Sequence, residues 1–276
     1  MAVIKQQAAA GAPGRGLFTI RRWRTALAYL AAIATLGLIW TVATLFLPPY
    51  LLPGIPATVV RWGELVGTPD FLGGLRSSFY RLGVGYPLAC LLGAALGLLA
   101  GLFRSFALYL RGLISILQSV PPITWVPFLA ILFGFGDIPI ISVITLASFF
   151  PMALSVMNGT EGISRTHVEV ARVMGASRRQ LLQKVYLPET MPSVITGAQV
   201  AFGNAWRSLI AAEMVGGASS GLGWSISLAG ETADMAGVLV GIIVVGGSAA
   251  LIDHFVLEQI KRYLLRWRNT VGGEAA

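Results

Sequence analysis

The sequence predicts an all-α membrane protein of six transmembrane helices with both termini in the cytoplasm. Composition, apolar run length and the placement of basic residues all point there. The 276 residues are 55% hydrophobic and only 12% charged, against about 25% charged in a soluble domain. Mean hydropathy is +0.75. Uncharged stretches near the ~20 residues that cross a bilayer recur along the chain.

The first predicted span is Ala26 to Leu47, closed by Pro48, Pro49 and Pro53, which cannot continue a helix. The second is Leu82 to Phe103. The third, Gly112 to Gly136, contains Pro121, Pro122 and Pro127. The fourth is Ile138 to Met157, the fifth Met191 to Val215, and the sixth Met235 to Ile252. Ile55 to Val66 reads as a short interfacial helix anchored by Trp62. Gly216 to Asp234, rich in Gly and Ser yet holding Leu222, Trp224 and Leu228, reads as a partly re-entrant outer loop. The domain plan is a tail over 1–25, a transmembrane domain over 26–258 with a charged segment at 158–190, and a basic tail over 259–276. The first span reads as a retained anchor, since no cleavage site follows it.

Orientation follows from Lys and Arg. They cluster before span one, between spans two and three, after span four and after span six, which six crossings place on one side. The positive-inside rule makes that side cytoplasmic. The formal charge of +8 is therefore spent at membrane borders and does not imply nucleic acid. The single cysteine, Cys90, lies in an apolar stretch and reads as a small filler.

The segment between spans four and five carries the most information. Glu169-Val170-Ala171 is followed by three residues, Gly175, nine residues, and Val185-Tyr186-Leu187-Pro188. Glu169 and Arg172 are spaced to pair on a short helix. Gly175 suits that helix's end, and Ser177 with Gln180 suits a capping box opening a second helix. Leu181, Leu182, Val185 and Tyr186 make an apolar stripe opposite Arg178, Arg179, Gln183 and Lys184. Leu187-Pro188 is read as the stop. The result is two short helices with a small-residue corner, Gly175-Ala176.

This stretch resembles the signature cytoplasmic loop of importer permeases in the ATP-binding-cassette superfamily: E-A-A, three residues, G, nine residues, I-x-L-P. Val170 and Val185 are conservative departures. Gln118-Ser119-Val120-Pro121-Pro122, Ala211-Ala212-Glu213-Met214 and Gly221-Leu222-Gly223 are similar to the subgroup that imports taurine, alkyl sulfonates, nitrate or bicarbonate. The resemblance implies a type I importer permease fold in a bacterial inner membrane. It implies two separate ATPase subunits, a second permease copy, making a homodimer, and a periplasmic binding protein. It implies ATPase coupling through Glu169, Ala171, Arg172, Gly175, Ala176, Leu187 and Pro188. ATP and magnesium would sit on the partners. This chain is expected to bind no cofactor and to have no catalytic or metal-binding residues.

The chain contains no G-x-x-x-x-G-K-[ST] stretch to cradle a phosphate, and no H-E-x-x-H. His167 and His254 lie on separate segments without ligand spacing. Translocation-pathway candidates are Gln118, Ser119, Trp125, Asn204, Arg207, Glu213 and Trp224. The proline cluster of span three is either a structural kink or part of that pathway. Glu213 either shapes an outer gate or hydrogen-bonds the Gly-rich loop. Arg207 and Glu213, six apart, do not suit a same-face pair. Gly93, Gly97 and Gly101 form a small-residue row that favours packing within the chain over packing between two copies. The alternative class is an ion-coupled secondary transporter, which needs more intramembrane ionisable groups than these.

Overall fold

The computed structural model describes residues 15–216, 218–253, 255 and 259, with side chains from Leu27 onward. The N-terminal stretch 1–14, His254 and the basic tail from residue 260 lie outside the described residues. Every regular element among the described residues is helical. The chain divides into two compact units, residues 1–60 and 61–276.

The first unit is built on α1, Arg15–Phe46. It starts upstream of the predicted Ala26 because no proline interrupts Arg15 to Ala26. Pro48 and Pro49 end it as expected. The Trp40 indole donates to the Pro53 carbonyl at 3.0 Å, folding the turn back on the helix. Helix α2, Ile55–Leu65, is the predicted short amphipathic segment.

The second unit contains α3 (Pro69–Leu102), α4 (Arg104–Gln118), α5 (Val126–Phe133), α6 (Asp137–Glu161), α7 (Arg165–Val173), α8 (Arg178–Leu181), α9 (Leu187–Val215), α10 (Leu222–Glu231) and α11 (Met235–Ile252). Thr68 caps α3, its hydroxyl accepting from the Phe71 amide, with Pro69 at the first helical position. Helix α6 is the centre, packed against α3 on one side and α9 on the other. Ile140, Val143 and Ile144 of α6 meet Phe202 and Leu209 of α9 in the main core.

The glycine row of α3 is the reason α3 and α6 lie so close. A Cβ at Gly93 would stand 2.8 Å from the Met152 Cβ, and one at Gly97 would stand 2.5 Å from the Ala153 carbonyl oxygen. The row serves packing within the chain.

Span three, predicted over 112–136 with a proline-disturbed middle, folds as α4, a 3₁₀ turn Pro122–Trp125, and α5, with an 81° bend between α4 and the Pro122–Phe133 segment. A residue preceding proline is pushed out of the α region. Pro121, preceding Pro122, accordingly sits at φ −56°, ψ 132°. Pro122 and Pro127 then occupy helix first turns, where a missing amide costs nothing.

Among the described residues, four helices are long and apolar enough to cross a bilayer: α1, α3, α6 and α11. The bent α4–α5 pair makes five if it counts as one crossing. Helix α9, the predicted fifth span, has 29 residues but is diluted by Gln199, Asn204, Arg207 and Glu213. The predicted re-entrant segment contains helix α10.

A capped corner and a polar stripe on one long helix

The signature segment folds as two short helices around Gly175. Its φ of +82° is the left-handed conformation that glycine adopts without a Cβ penalty. The Ala176 amide donates to the Ala171 carbonyl at 3.0 Å and the Gly175 amide to the Arg172 carbonyl at 2.9 Å. Together they form a Schellman closure of α7. The next helix opens with the predicted capping box. The Ser177 hydroxyl accepts from the Gln180 amide at 3.3 Å, and the Ser177 amide donates to the Gln180 side chain at 2.8 Å. Both sides of the corner are therefore hydrogen-bonded shut.

Two expectations fail here. Pro188 does not stop the helix. Leu182–Tyr186 is a π-helical segment that runs directly into α9, with the Leu187 amide reaching the Leu182 carbonyl. A π turn widens the backbone, which makes room for a proline ring that lacks a donor. Glu169 and Arg172 form no ion pair among the described residues. Instead His167 Nδ1 lies 2.5 Å from Glu189 Oε1, tying α7 to the start of α9.

The apolar stripe behaves as expected. Leu181 is buried, Leu182, Val185 and Tyr186 are half-buried, and Arg178, Arg179, Gln183 and Lys184 are exposed. The corner also presents apolar side chains outward: Val170, Val173 and Met174 are 53%, 89% and 82% exposed. On a short, otherwise polar element, such a patch suits a partner surface.

At the far end of α9, ~40 Å away by helix rise, lies a buried polar network. Arg81 Nη1 donates to Glu213 Oε1 and to the Ser220 carbonyl, each at 2.7 Å, and Arg81 Nε donates to Asp137 Oδ1 at 2.7 Å. The Ser78 hydroxyl donates to the Glu213 carboxylate at 2.8 Å. Two α10 amides complete the set. Leu222 donates to the Ser78 oxygen and Gly223 to Glu213 Oε2, both at 2.9 Å. Glu213 thus supplies, from α9, the cap that α10 lacks in its own sequence. The adjoining Gly221, at φ +141°, is needed because a Cβ there would meet the carboxylate. Glu213 bonds the Gly-rich loop, which was one of its two sequence readings. Arg81, its partner, was missed. The available signal was a basic residue inside one apolar helix and an acidic residue inside another.

The other pathway candidates do not converge on a single site. Gln118 and Ser119 share an open cavity of about 420 Å³ with Arg111, Ile114 and Leu154. Trp224 lines another of about 670 Å³ with Arg61, Ser220, Thr232 and Asp234. Trp125 packs against the main core, and its indole N–H has no partner among the described residues. Asn204 and Arg207 do meet: Arg207 Nη2 donates to Asn204 Oδ1 at 3.2 Å on the outward face of α9.

Beside the second cavity, Asp234 accepts from Arg61 Nη2 at 2.6 Å and caps α11 through the Gly237 amide at 2.9 Å. Burial pushes the Asp234 carboxyl up. The Arg61 hydrogen bond, the Gly237 amide and the Arg61 charge outweigh it and hold the carboxyl below its ordinary range.

A helical bundle with several helices long and apolar enough to cross a bilayer, and a capped corner between α6 and α9, defines a polytopic membrane protein. The chain belongs to the binding-protein-dependent transport system inner membrane component family, whose description matches residues 93–264. A Bacillus subtilis protein named as the aliphatic sulfonates transport permease SsuC is 34% identical, over 81% of this chain and 80% of its own. The taurine transport system permease protein TauC of Escherichia coli is 32% identical, over 91% and 94%. The bicarbonate transport system permease protein CmpB of Synechococcus elongatus is 30% identical, over 69% and 68%. Among solved structures, a chain of the inward-facing methionine ABC transporter MetNI aligns with a TM-score of 0.58 at 21% identity. It covers 70% of this chain and 95% of that one, a likeness of fold.

Proposed function

We propose that this permease forms the translocation path for a small anion, of the taurine, sulfonate or nitrate kind, and is driven by a separate ATPase through the Gly175 corner. The observation that carries the reading is that corner. It is closed on both sides by hydrogen bonds, so it transmits force without fraying, and it holds Val170, Val173 and Met174 outward. In this reading six crossings, with the α4–α5 pair and α9 among them, leave both termini and the corner in the cytoplasm of a bacterial inner-membrane importer. Two copies of the chain pair around the path. Two ATPase subunits bind ATP and magnesium and receive the corners, and a periplasmic protein delivers substrate. Ala171 and Arg172 supply the carbonyls that close the corner. Glu169 faces the ATPase, and the Leu187-Pro188 junction passes motion into α9. The names of the sulfonate, taurine and bicarbonate relatives support the anionic substrate.

The test is Gly175→Trp in the complete importer reconstituted in liposomes. A side chain there meets open space, and the strain of a non-glycine residue at φ +82° is local to the corner, so insertion should survive while ATP hydrolysis no longer drives uptake. Gly175→Ala, which shares the strain without the bulk, should keep more of the coupling. Coupled uptake at the wild-type rate would overturn the assignment.

A further inference from the structure

Helix α9 turns one continuous stripe outward. Thr196, Val200, Arg207 and Met214 are exposed, and Gly203, Asn204 and Ala211 are half-buried between them. Those positions recur at helical spacing, so they share a face. Arg207 is six residues past the helix midpoint, or ~9 Å along the axis; in the six-crossing reading proposed above, with α9 centred in the bilayer, it lies inside the ~15 Å half-thickness of a hydrocarbon core. A cation at that depth faces a water-filled cavity or a partner, because lipid tails cannot solvate it.

Arg81 of α3 and Arg207 of α9 are treated differently. Arg81 is 3% exposed and held by Asp137, Glu213 and the Ser220 carbonyl. Arg207 has one neutral acceptor, Asn204 Oδ1, and no carboxylate in ion-pairing range among the described residues. A guanidinium carries five N–H donors in a planar fork. Most of that fork is free and turned outward, and it matches the paired oxygens of a carboxylate, sulfonate or nitrate group.

We infer that Arg207 is the charge-selecting residue of the path, presenting an uncompensated guanidinium that admits small oxyanions and repels cations. This rests on the proposed function above. In that reading the second copy brings a second Arg207 to the same path, doubling the field there. The same fork would also accept a lipid phosphate, which is the other source of that chemistry, and the experiment below separates the two.

The test needs no knowledge of the substrate. In the assembled importer, with Cys90→Ala removing the native thiol, Val200→Cys places a thiol on the stripe two turns from Arg207. Its modification rates by an anionic and a cationic methanethiosulfonate are compared in membrane vesicles of both orientations. The anion-to-cation rate ratio should fall about tenfold with Arg207→Gln and be kept with Arg207→Lys, as expected for a unit charge ~10 Å away in a partly aqueous cavity. Gly203→Glu gives an independent arm. A side chain there starts 3.6 Å from the Arg207 guanidinium and should neutralise it without removing it, lowering the ratio likewise. If neither reagent reaches Val200→Cys from either side, the stripe faces lipid or protein, and the path assignment falls together with the inference. If both reagents react and the ratio ignores Arg207→Gln and Gly203→Glu, the path stands and charge selection by Arg207 is wrong.

Discussion

Arg81 of α3 and Glu213 of α9 lie 2.7 Å apart with their side chains 3% and 0% exposed, an ion pair sealed inside the bundle. Taking both charges out of water is costly, so the pair is weak evidence for net stability. Breaking it is a different matter, because one charge is then stranded. Arg81→Ala strands the buried Glu213 carboxylate and should destabilise the purified permease by about 3–5 kcal/mol, read as a lowered midpoint of thermal unfolding in detergent. Glu213→Ala should cost less, because Arg81 keeps Asp137 at 2.7 Å. The double variant should lose less than the sum, because neither charge is left alone. Additive losses would mean that the two side chains act independently.

The glycine row makes a second, position-specific prediction. Glycine within a helix is worth about 0.5–1 kcal/mol less than alanine, so Gly→Ala stabilises wherever there is room. At Gly83 a Cβ meets nothing within 4 Å, and the substitution should raise the melting midpoint slightly. At Gly97 the Cβ would press on the Ala153 carbonyl at 2.5 Å. Overpacking of about 1–3 kcal/mol then exceeds the helix gain, and the midpoint should fall. Opposite signs at two glycines of one helix separate packing from propensity.

Acid should loosen the cap of α11. The Asp234 carboxyl is held below its ordinary value by Arg61 and the Gly237 amide against the opposing effect of burial. A depressed carboxyl contributes stability that is complete above the unfolded value of about 3.9 and is lost as pH falls through the lower folded value. Both side chains are partly exposed, 36% and 25%, so solvent screening keeps the effect modest. Thermal midpoints measured from pH 7 down to pH 3 should fall for wild type. The part of that fall due to this pair should be missing in Asp234→Asn.

The fold class and the corner were legible in the sequence because both are written in local chemistry. Apolar runs mark helices wherever they pack, and Gly175, Ser177 and Gln180 act on backbone groups a few residues away. The sixth span, Met235–Ile252, matched its predicted bounds for that reason. What the sequence hid depends on partners distant along the chain. Arg81 carried no local sign of a partner until the fold put Glu213, 132 residues away, beside it. Pro188 looked like a terminator because a proline normally ends a helix, and only a π segment, which leaves no residue signature, lets it pass. The bend in span three was foreseen as disturbance. Its 81° size depends on where α5 finds its packing, and the proline count does not contain that. The pathway candidates scattered for the same reason, since polarity marks a residue as unusual without saying which neighbours it meets.

The outward patch at the corner yields the last prediction. Val173 and Met174 are almost wholly exposed beside the half-exposed Val170, on a segment rich in exposed polar residues. Buried on a partner, each apolar side chain is worth about 1.5–3 kcal/mol, so together they would dominate a small interface. Val173→Asp with Met174→Asp should leave the chain inserted and its melting midpoint unchanged, because neither side chain packs within the chain. The same variant should weaken association with the ATPase at least tenfold, and uptake should fall with it, measured by co-purification and by transport in reconstituted liposomes. Ser177→Ala is the contrasting control. It removes a capping contact worth about 1 kcal/mol while keeping the apolar patch, so it should soften the corner and lower coupling without abolishing association. If the aspartate pair binds ATPase as tightly as wild type, the patch is not the contact, and force must enter the permease elsewhere.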